Sequence, residues 1–150
     1  MKQKIRLQAQ LIEGMCEDYS KKKIIRTLDF ADGSSLRLVA EFIIGSFDFD
    51  CDHAFGIYDD VRSPNEGYSL FADMDDEGDP MGGTSIEKAK VGRIFNEKNK
   101  IMYMIFDFGD EWIFKISCVD ILPRKEKERY PLLVSKQGTA PDQYPDYDDE

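Results

Sequence analysis

Residues 106–112 read Phe-Asp-Phe-Gly-Asp-Glu-Trp, and apolar residues alternate with others along the chain on both sides of this stretch. A period of two is typical of a strand with one buried face, and a glycine between two such runs favours a turn. We therefore predict a β-hairpin built from Lys100–Phe108 and Glu111–Leu122. Its predicted core face comprises Met102, Met104, Phe106, Phe108, Trp112, Phe114, Ile116 and Cys118. Its other face is half polar and comprises Tyr103, Asp107, Glu111, Lys115 and Ser117.

The residue types at the tip of the hairpin predict how the chain turns. Gly109 is predicted to take a positive φ, and Asp107 and Asp110 are predicted to accept hydrogen bonds from turn amides. A ligand site at the tip is the alternative interpretation. Residues 107–109 also spell the Asp-Phe-Gly magnesium motif of protein kinases, but the sequence lacks the Gly-rich loop, strand lysine and His-Arg-Asp loop that kinases need. A kinase is therefore excluded.

Periodicity upstream of the hairpin predicts two strands and one main helix. Lys4–Ile12 alternates apolar and polar side chains, which indicates a half-exposed strand. A second strand is predicted over Lys22–Leu28. Ser34 or Ser35 is predicted to cap a helix ending at Gly45, because apolar residues then recur at helical spacing. Those residues are Leu36, Val39, Ala40, Ile43 and Phe47.

The remaining segments are predicted with less regular structure. Phe47–Tyr58 is predicted as a strand entered from an acidic loop, and Ile86–Phe95 as a brief helix. Pro, Gly and acidic residues dominate Asp59–Pro80, so we predict an exposed excursion there with at most a short strand at Tyr68–Ala72. We predict one domain over residues 1–150, with a core over about residues 1–130 and an extended acidic tail over 131–150.

Composition excludes several classes of protein. No apolar run is long enough to cross a bilayer, and charged residues interrupt the amino terminus where a secretory signal would be continuous and apolar. We predict a cytoplasmic protein without membrane contact. Three scattered cysteines, none in a C-x-x-C spacing, argue against a disulfide framework and a structural zinc site. No cofactor and no metal are predicted.

The net charge of −10 is strongly segregated along the chain. Residues 48–79 hold eleven acidic residues against Arg62 alone, and residues 141–150 hold five more with no basic residue. The remainder is mildly basic, and its densest basic cluster contains Lys21, Lys22, Lys23 and Arg26. This distribution supports two hypotheses: the acidic segments occupy a basic surface on a partner protein, or the basic cluster contacts nucleic acid.

Two further patterns are candidate chemical sites. His53 is the only histidine, and on the predicted strand Cys51 would point the same way about 7 Å from it. A thiolate–imidazolium pair is one hypothesis, and a histidine held by Asp52 or by backbone groups is the favoured one. Residues 73–79 begin like a calcium loop, but Thr84 stands where the bidentate glutamate is required, so a solvated acidic loop is favoured.

Several motifs together resemble one known family. They are Asp-His-Ala-Phe-Gly-Ile-Tyr (52–58), Leu-Phe-Ala-Asp (70–73), the hairpin stretch 106–112, Tyr-Pro (130–131) and Ala-Pro-Asp-Gln-Tyr-Pro (140–145). This order resembles the plasmid open-reading-frame-three-like family, named from a root-inducing plasmid, whose members also travel in mobile elements. The resemblance implies an α+β domain: a curved, mainly antiparallel sheet with one main helix packed on it, a C-terminal hairpin and an extended tail. The family-motif positions are His53, Asp107, Gly109, Asp110 and Trp112, and the resemblance implies no activity.

The sequence contains no complete catalytic set, so the leading hypothesis is a non-catalytic protein-interaction module. The acidic loop and the Pro/Tyr tail are its expected partner-facing parts. The first alternative is a nucleic-acid-binding accessory protein that uses the basic cluster near Lys22. The second is a small hydrolase or metal-dependent enzyme that uses His53, Asp107, Asp110 and Glu111.

Overall fold

The computed structural model describes residues 2–70 and 84–145, which contain nine strands and two helices. The elements are β1 (Gln3–Gly14), β2 (Glu17–Asp18), β3 (Ile25–Ala31), α1 (Leu36–Ser46), β4 (Phe55–Tyr58), β5 (Gly67–Ser69), β6 (Thr84–Ser85), α2 (Val91–Ile94), β7 (Ile101–Phe106), β8 (Trp112–Pro123) and β9 (Leu132–Gln137). The strands form one unclosed sheet in the order β6-β5-β4-β7-β8-β1-β3-β9, with β2 paired to β1. The pairs are antiparallel except β5–β6, which is parallel.

The centre of the sheet is formed by β7, β8 and β1. Met104 lies opposite Phe114 and Phe106 opposite Trp112 in the β7–β8 pair, so all four side chains share one face. They are buried in one apolar cluster with Leu36 and other residues of α1. Alternation along β1 predicted its buried face correctly: Ile5, Leu7, Ala9 and Leu11 are all at most 1% exposed. Lys4, which the alternation places on the exposed face, is also buried, because Asp29 and Glu128 pair with its charge.

Phe108 departs from the predicted core face. Because β7 ends at Phe106 and Asp107 takes a φ of 63°, the alternation does not continue to residue 108. Phe108 packs instead on the opposite face of the sheet, in a second apolar cluster. The buried members of this second cluster are Tyr58, Ile105 and Ile113, and Ile12, Val61, Tyr103 and Phe108 pack against them.

Helix α1 begins where its cap was predicted. The side chain of Ser35 accepts a hydrogen bond from the Leu38 amide at 3.1 Å. The helix continues through Gly45 to Ser46, so the glycine does not end it. Its predicted core positions Leu36, Val39, Ala40 and Ile43 are buried against the sheet.

Three other elements differ from their predicted bounds because of local backbone geometry. Strand β3 begins at Ile25, since Lys23 has a φ of 54° that a strand cannot accommodate. Strand β4 begins at Phe55, far beyond the predicted Phe47, because Asp48 has a φ of 63°. The predicted helix over Ile86–Phe95 is reduced to α2, since Lys90 is extended and bridges Ser35.

The segment predicted as a tail contributes to the sheet. Strand β9 pairs with β3 along its whole length, with Leu133 opposite Leu28 and Gln137 opposite Ile25. Arg26 fixes the end of this pair, because its guanidinium donates to the carbonyls of Gln137 and Gly138. The sheet therefore extends into the segment 131–150 that was predicted as a tail. The calcium-like pattern at residues 73–79 lies outside the described residues.

A buried charge cluster fastens the connection between β8 and β9 to the sheet. Asp29, fully buried, lies 3.0 Å from Lys4 Nζ and accepts two hydrogen bonds from Arg6. Lys4 also donates to Glu128 at 2.6 Å. Glu128 in turn accepts from the hydroxyl of Tyr130 at 2.7 Å. No helix in the described part of the chain has the length and apolar character needed to cross a membrane.

Candidate functional site

The tip of the β7–β8 hairpin comprises residues 107–111 and is held by Asp107. Its carboxylate accepts hydrogen bonds from the amides of Gly109 at 3.1 Å and Asp110 at 3.3 Å, as predicted. The Glu111 amide donates to the Asp107 carbonyl at 2.6 Å. The left-handed residues are Asp107 and Glu111, so the predicted positive φ of Gly109 is wrong. The turn amides do not donate to the Asp110 carboxylate, contrary to the prediction; its backbone carbonyl accepts from the Met15 amide at 2.8 Å.

Trp112, the last of the family-motif positions, has a structural role. Its side chain is 1% exposed and lies against Gly14, where there is no room for a Cβ atom. The ring contacts Phe49 with centroids 4.8 Å apart and stacks on Tyr19 at 6.3 Å. Trp112 thus joins the start of β8 to the end of β1 and to the loop that follows α1.

His53 lies on the core-face side of the hairpin tip and joins three parts of the chain. Its Nε2 atom is 3.4 Å from Asp107 Oδ2 and 3.8 Å from Asp52 Oδ1. The same nitrogen lies 2.9 Å from the hydroxyl of Tyr144 in the C-terminal segment. The His53 ring also contacts Phe106 edge to face. The structure therefore brings His53 and Asp107 together, as the enzyme hypothesis requires, and adds Tyr144.

The electrostatics of this group favour a fixed hydrogen-bond network over a reactive base. Tyr144 donates its hydroxyl proton to Asp52 Oδ2 at 2.6 Å. This hydrogen bond lowers the pKa of Asp52 and raises the pKa of Tyr144 to about 12, so the phenol stays protonated. Because the phenol proton goes to Asp52, the phenol oxygen accepts from His53 Nε2–H in the tautomer protonated there.

Cys51 and His53 do not form the thiolate–imidazolium pair that is one hypothesis from the sequence. They lie outside any strand, so the alternation that would align Cys51 with His53 is absent. Partial burial, together with the charge of Glu41, raises the pKa of the Cys51 thiol and disfavours the thiolate. Across residues 2–70 and 84–145, no group of three or more His, Cys, Asp or Glu side chains is arranged to hold a metal ion.

A groove of about 630 Å³ lies on the opposite face of the sheet, beside the same hairpin tip. Its apolar floor is formed by members of the second apolar cluster, namely Ile12, Val61, Tyr103, Ile105, Phe108 and Ile113. The described acidic residues that line it are Glu13, Asp59, Asp60 and Glu111, and Arg62 is the basic residue among them. A smaller cavity of about 330 Å³ adjoins it and shares Glu13 and Glu111. Both cavities therefore lie beside the hairpin tip.

The wall of this groove is a loop, residues 59–66, that its own aspartates organise. Asp59 Oδ1 accepts hydrogen bonds from the amides of Glu66 and Asn65, which lower the pKa of Asp59 and keep it ionised. Asp60 Oδ1 accepts from the Arg62 amide at 2.9 Å. These Asp-centred turns hold the loop against β4 without burying the carboxylates in ion pairs.

This groove was not predicted from the sequence, because the second face of the hairpin was predicted to be half polar and so not to carry an apolar surface. The signal was present: Ile105 and Ile113 occupy positions on that face, and the structure pairs them directly across the two strands. Ile12 continues the apolar surface from the end of β1. What the sequence could not supply was the register that aligns the three isoleucines.

The predicted basic cluster is only partly available to a ligand. Lys21, Lys22 and Lys23 are exposed, and Lys22 lies over the ring of Tyr19 at 5.4 Å. Arg26, in contrast, is 1% exposed, bonded to backbone carbonyls and stacked on Phe47. Desolvation lowers the pKa of Arg26, but its carbonyl partners satisfy the guanidinium. It supports the sheet edge and is not positioned to contact phosphate.

Comparison with known proteins supports the fold and the kinship. None of the curated proteins matches the chain. The fold resembles the crystal structure of a protein of unknown function, MM3350, from Methanosarcina mazei Go1, with a TM-score of 0.73 and 21% sequence identity. The match covers 93% of this chain and 72% of that one. Residues 17–144 match the family described as plasmid pRiA4b ORF-3-like protein, a match that includes the hairpin, His53 and Tyr144. The chain therefore belongs to the plasmid pRiA4b ORF-3-like protein family.

Proposed function

We propose that this protein is a non-catalytic protein-interaction module whose contact surface is the acidic groove beside the hairpin tip. The observation that carries the proposal is the combination of an apolar floor with an acidic rim on one concave surface. Its occupant is a segment of a partner protein that carries both apolar and basic side chains.

The apolar floor supplies the contact area of the proposed interaction. Phe108 and Tyr103 are only partly buried, and they flank Ile105 and Ile113 on the sheet. Aromatic residues at the centre of a concave apolar surface are typical anchors of protein interfaces. A partner that covers them removes this apolar area from water, which favours binding by roughly 25 cal/mol per Å².

The acidic rim determines which segments fit. Four carboxylates surround the floor with one arginine among them, so a basic segment is attracted and an acidic segment is repelled. The overall charge of −10 acts in the same direction over longer distances and accelerates the encounter with a basic partner. A nucleic acid is disfavoured at this surface for the same reason.

The enzyme hypothesis receives less support from the geometry. His53 and Asp107 lie together, but Glu111 faces the groove on the other side of the sheet, and Tyr144 holds the exposed side of His53. The phenol is kept protonated by Asp52 and is unsuited to act as a nucleophile at neutral pH. The hydrogen bonds of Tyr144 to Asp52 and His53 tie the C-terminal segment to the loop before β4, which is a structural role.

Selection from a random peptide library tests the proposal without assuming a partner. We expect the enriched peptides to combine a positive net charge with two or more apolar residues. The double substitution Glu13→Lys/Glu111→Lys should weaken their binding by roughly a hundredfold, about tenfold for each reversed charge. Glu97→Lys/Glu126→Lys is the matched control, since it makes the same charge change at exposed positions outside the groove. Equal losses in both variants, or enrichment of acidic peptides, would contradict the proposal.

A further inference from the structure

The C-terminal segment binds to the body of the protein through two consecutive side chains, Gln143 and Tyr144. After β9 ends at Gln137, the hydrogen bonds to the loop that precedes β4 come from these two residues. Ala140 adds an apolar contact with the core. The contact is long-range, because Gln143 lies 93 positions after Asp50 in the sequence.

The Gln143 side chain both accepts from and donates to the backbone of Asp50. Its Oε1 atom accepts from the Asp50 amide at 2.6 Å, and its Nε2 atom donates to the Asp50 carbonyl at 3.0 Å. The same Nε2 donates to Asp52 Oδ1 at 3.2 Å. A carboxamide is the side chain that can pair with a backbone amide in this way, since it has a donor and an acceptor at the right separation. Gln143 is 8% exposed, so this contact is largely shielded from water.

Tyr144, the next residue, also forms specific hydrogen bonds with the loop that precedes β4. Its hydroxyl donates to Asp52 and lies 2.9 Å from His53 Nε2, while its ring lies beside the His53 ring. A phenylalanine at this position would keep the ring contact and lose both hydrogen bonds. The side chain remains about half exposed, at 53%, so the site is reached from solvent.

We propose that the loop of residues 50–53 is a binding site for a peptide segment with the sequence Gln-Tyr, and that the C-terminal segment is its resident ligand. The Gln and Tyr side chains of this segment form hydrogen bonds with three groups of the loop: the Asp50 backbone, the Asp52 carboxylate and the His53 ring. The site does not rest on the acidic groove, which lies on the opposite face of the sheet. It is therefore a second interaction surface, open to a Gln-Tyr segment from another molecule when the resident segment leaves.

A labelled peptide tests this inference on the full-length chain. The probe is Thr-Ala-Pro-Asp-Gln-Tyr-Pro, the sequence of residues 139–145. The variant Gln143→Ala/Tyr144→Ala empties the site, and fluorescence anisotropy follows binding of the probe to it. We expect the variant to bind the probe at least roughly tenfold more tightly than the wild type, because the resident segment competes at a high effective concentration.

Two controls separate recognition from an unspecific effect. A probe with alanine in place of its Gln and Tyr should not bind the emptied variant. Adding Asp52→Ala to that variant should abolish binding of the original probe. If the double variant does not fold, Gln143→Glu replaces it, since a carboxylate facing the Asp50 carbonyl and Asp52 releases the segment without removing bulk. Equal binding of the probe to the wild type and to the emptied variant would overturn the inference.

Discussion

The substitution Gly14→Ala probes the packing that joins the hairpin to the rest of the sheet. A Cβ atom at residue 14 would lie 2.0 Å from Cε3 and 2.4 Å from Cζ3 of Trp112. Separations below 3.0 Å are essentially never seen for real Cβ atoms, so the ring must retreat by about 1 Å into a core that is already close-packed. Overpacking of this kind lowers the free energy of unfolding by about 1–3 kcal/mol.

Urea unfolding measures this loss, with the fluorescence of Trp112 as the signal. Trp112 is the only tryptophan, so its emission reports directly on the site of the substitution. Gly45→Ala is the matched control: it adds the same methyl group inside α1, where nothing lies within 4 Å, and should stabilise the protein by about 0.5–1 kcal/mol. Unfolding of Gly14→Ala at the same urea concentration as the wild type, with unchanged emission, would show that Trp112 does not pack tightly against residue 14.

Two further predictions concern buried groups. Burial alone would raise the pKa of Asp29, but hydrogen bonds from Arg6 and Lys4 outweigh it and hold the pKa below the ordinary value of 3.8. A carboxyl group whose pKa is lowered by folding stabilises the protein at pH values above its ordinary pKa, and this stabilisation is lost as the pH falls. The midpoint of thermal unfolding should therefore shift to lower temperature below about pH 4. Asp29→Asn should lower the free energy of unfolding by about 3 kcal/mol at pH 7, because the buried Lys4 then keeps Glu128 as its partner but loses Asp29, and Arg6 loses its carboxylate. Under native conditions a thiol reagent should modify Cys16 but not Cys118, whose pKa burial raises; rapid native modification of Cys118 would contradict its place in the core.

The strands and the helix with local signals were predictable from the sequence. Alternation along β1 and the Ser35 cap of α1 depend on neighbouring residues alone, and both agree with the structure. Loop geometry was not predictable in the same way. The stretch before β4 was predicted as strand because its side chains alternate, but the Asp50 backbone bonds to Gln143, which is remote in sequence.

The candidate site shows the same limit. The sequence marked His53 and Asp107 as motif positions but did not indicate that Tyr144 would join them, since nothing local links the tail to the hairpin. The turn residues were assigned from propensity, which favoured Gly109 for the left-handed conformation. The structure places Asp107 and Glu111 there, because the carboxylate of Asp107 bonds the turn amides and stabilises its own unusual backbone.

An NMR titration shows whether the groove beside the hairpin tip receives a basic and apolar partner segment. The isoleucine methyl groups are labelled, and a peptide enriched by the library selection is added in steps. We expect the largest shifts at Ile12, Ile105 and Ile113, which lie on the groove, and little change at Ile43 and Ile57 in the main core. Saturable binding that leaves the three groove methyl groups unchanged would contradict this expectation.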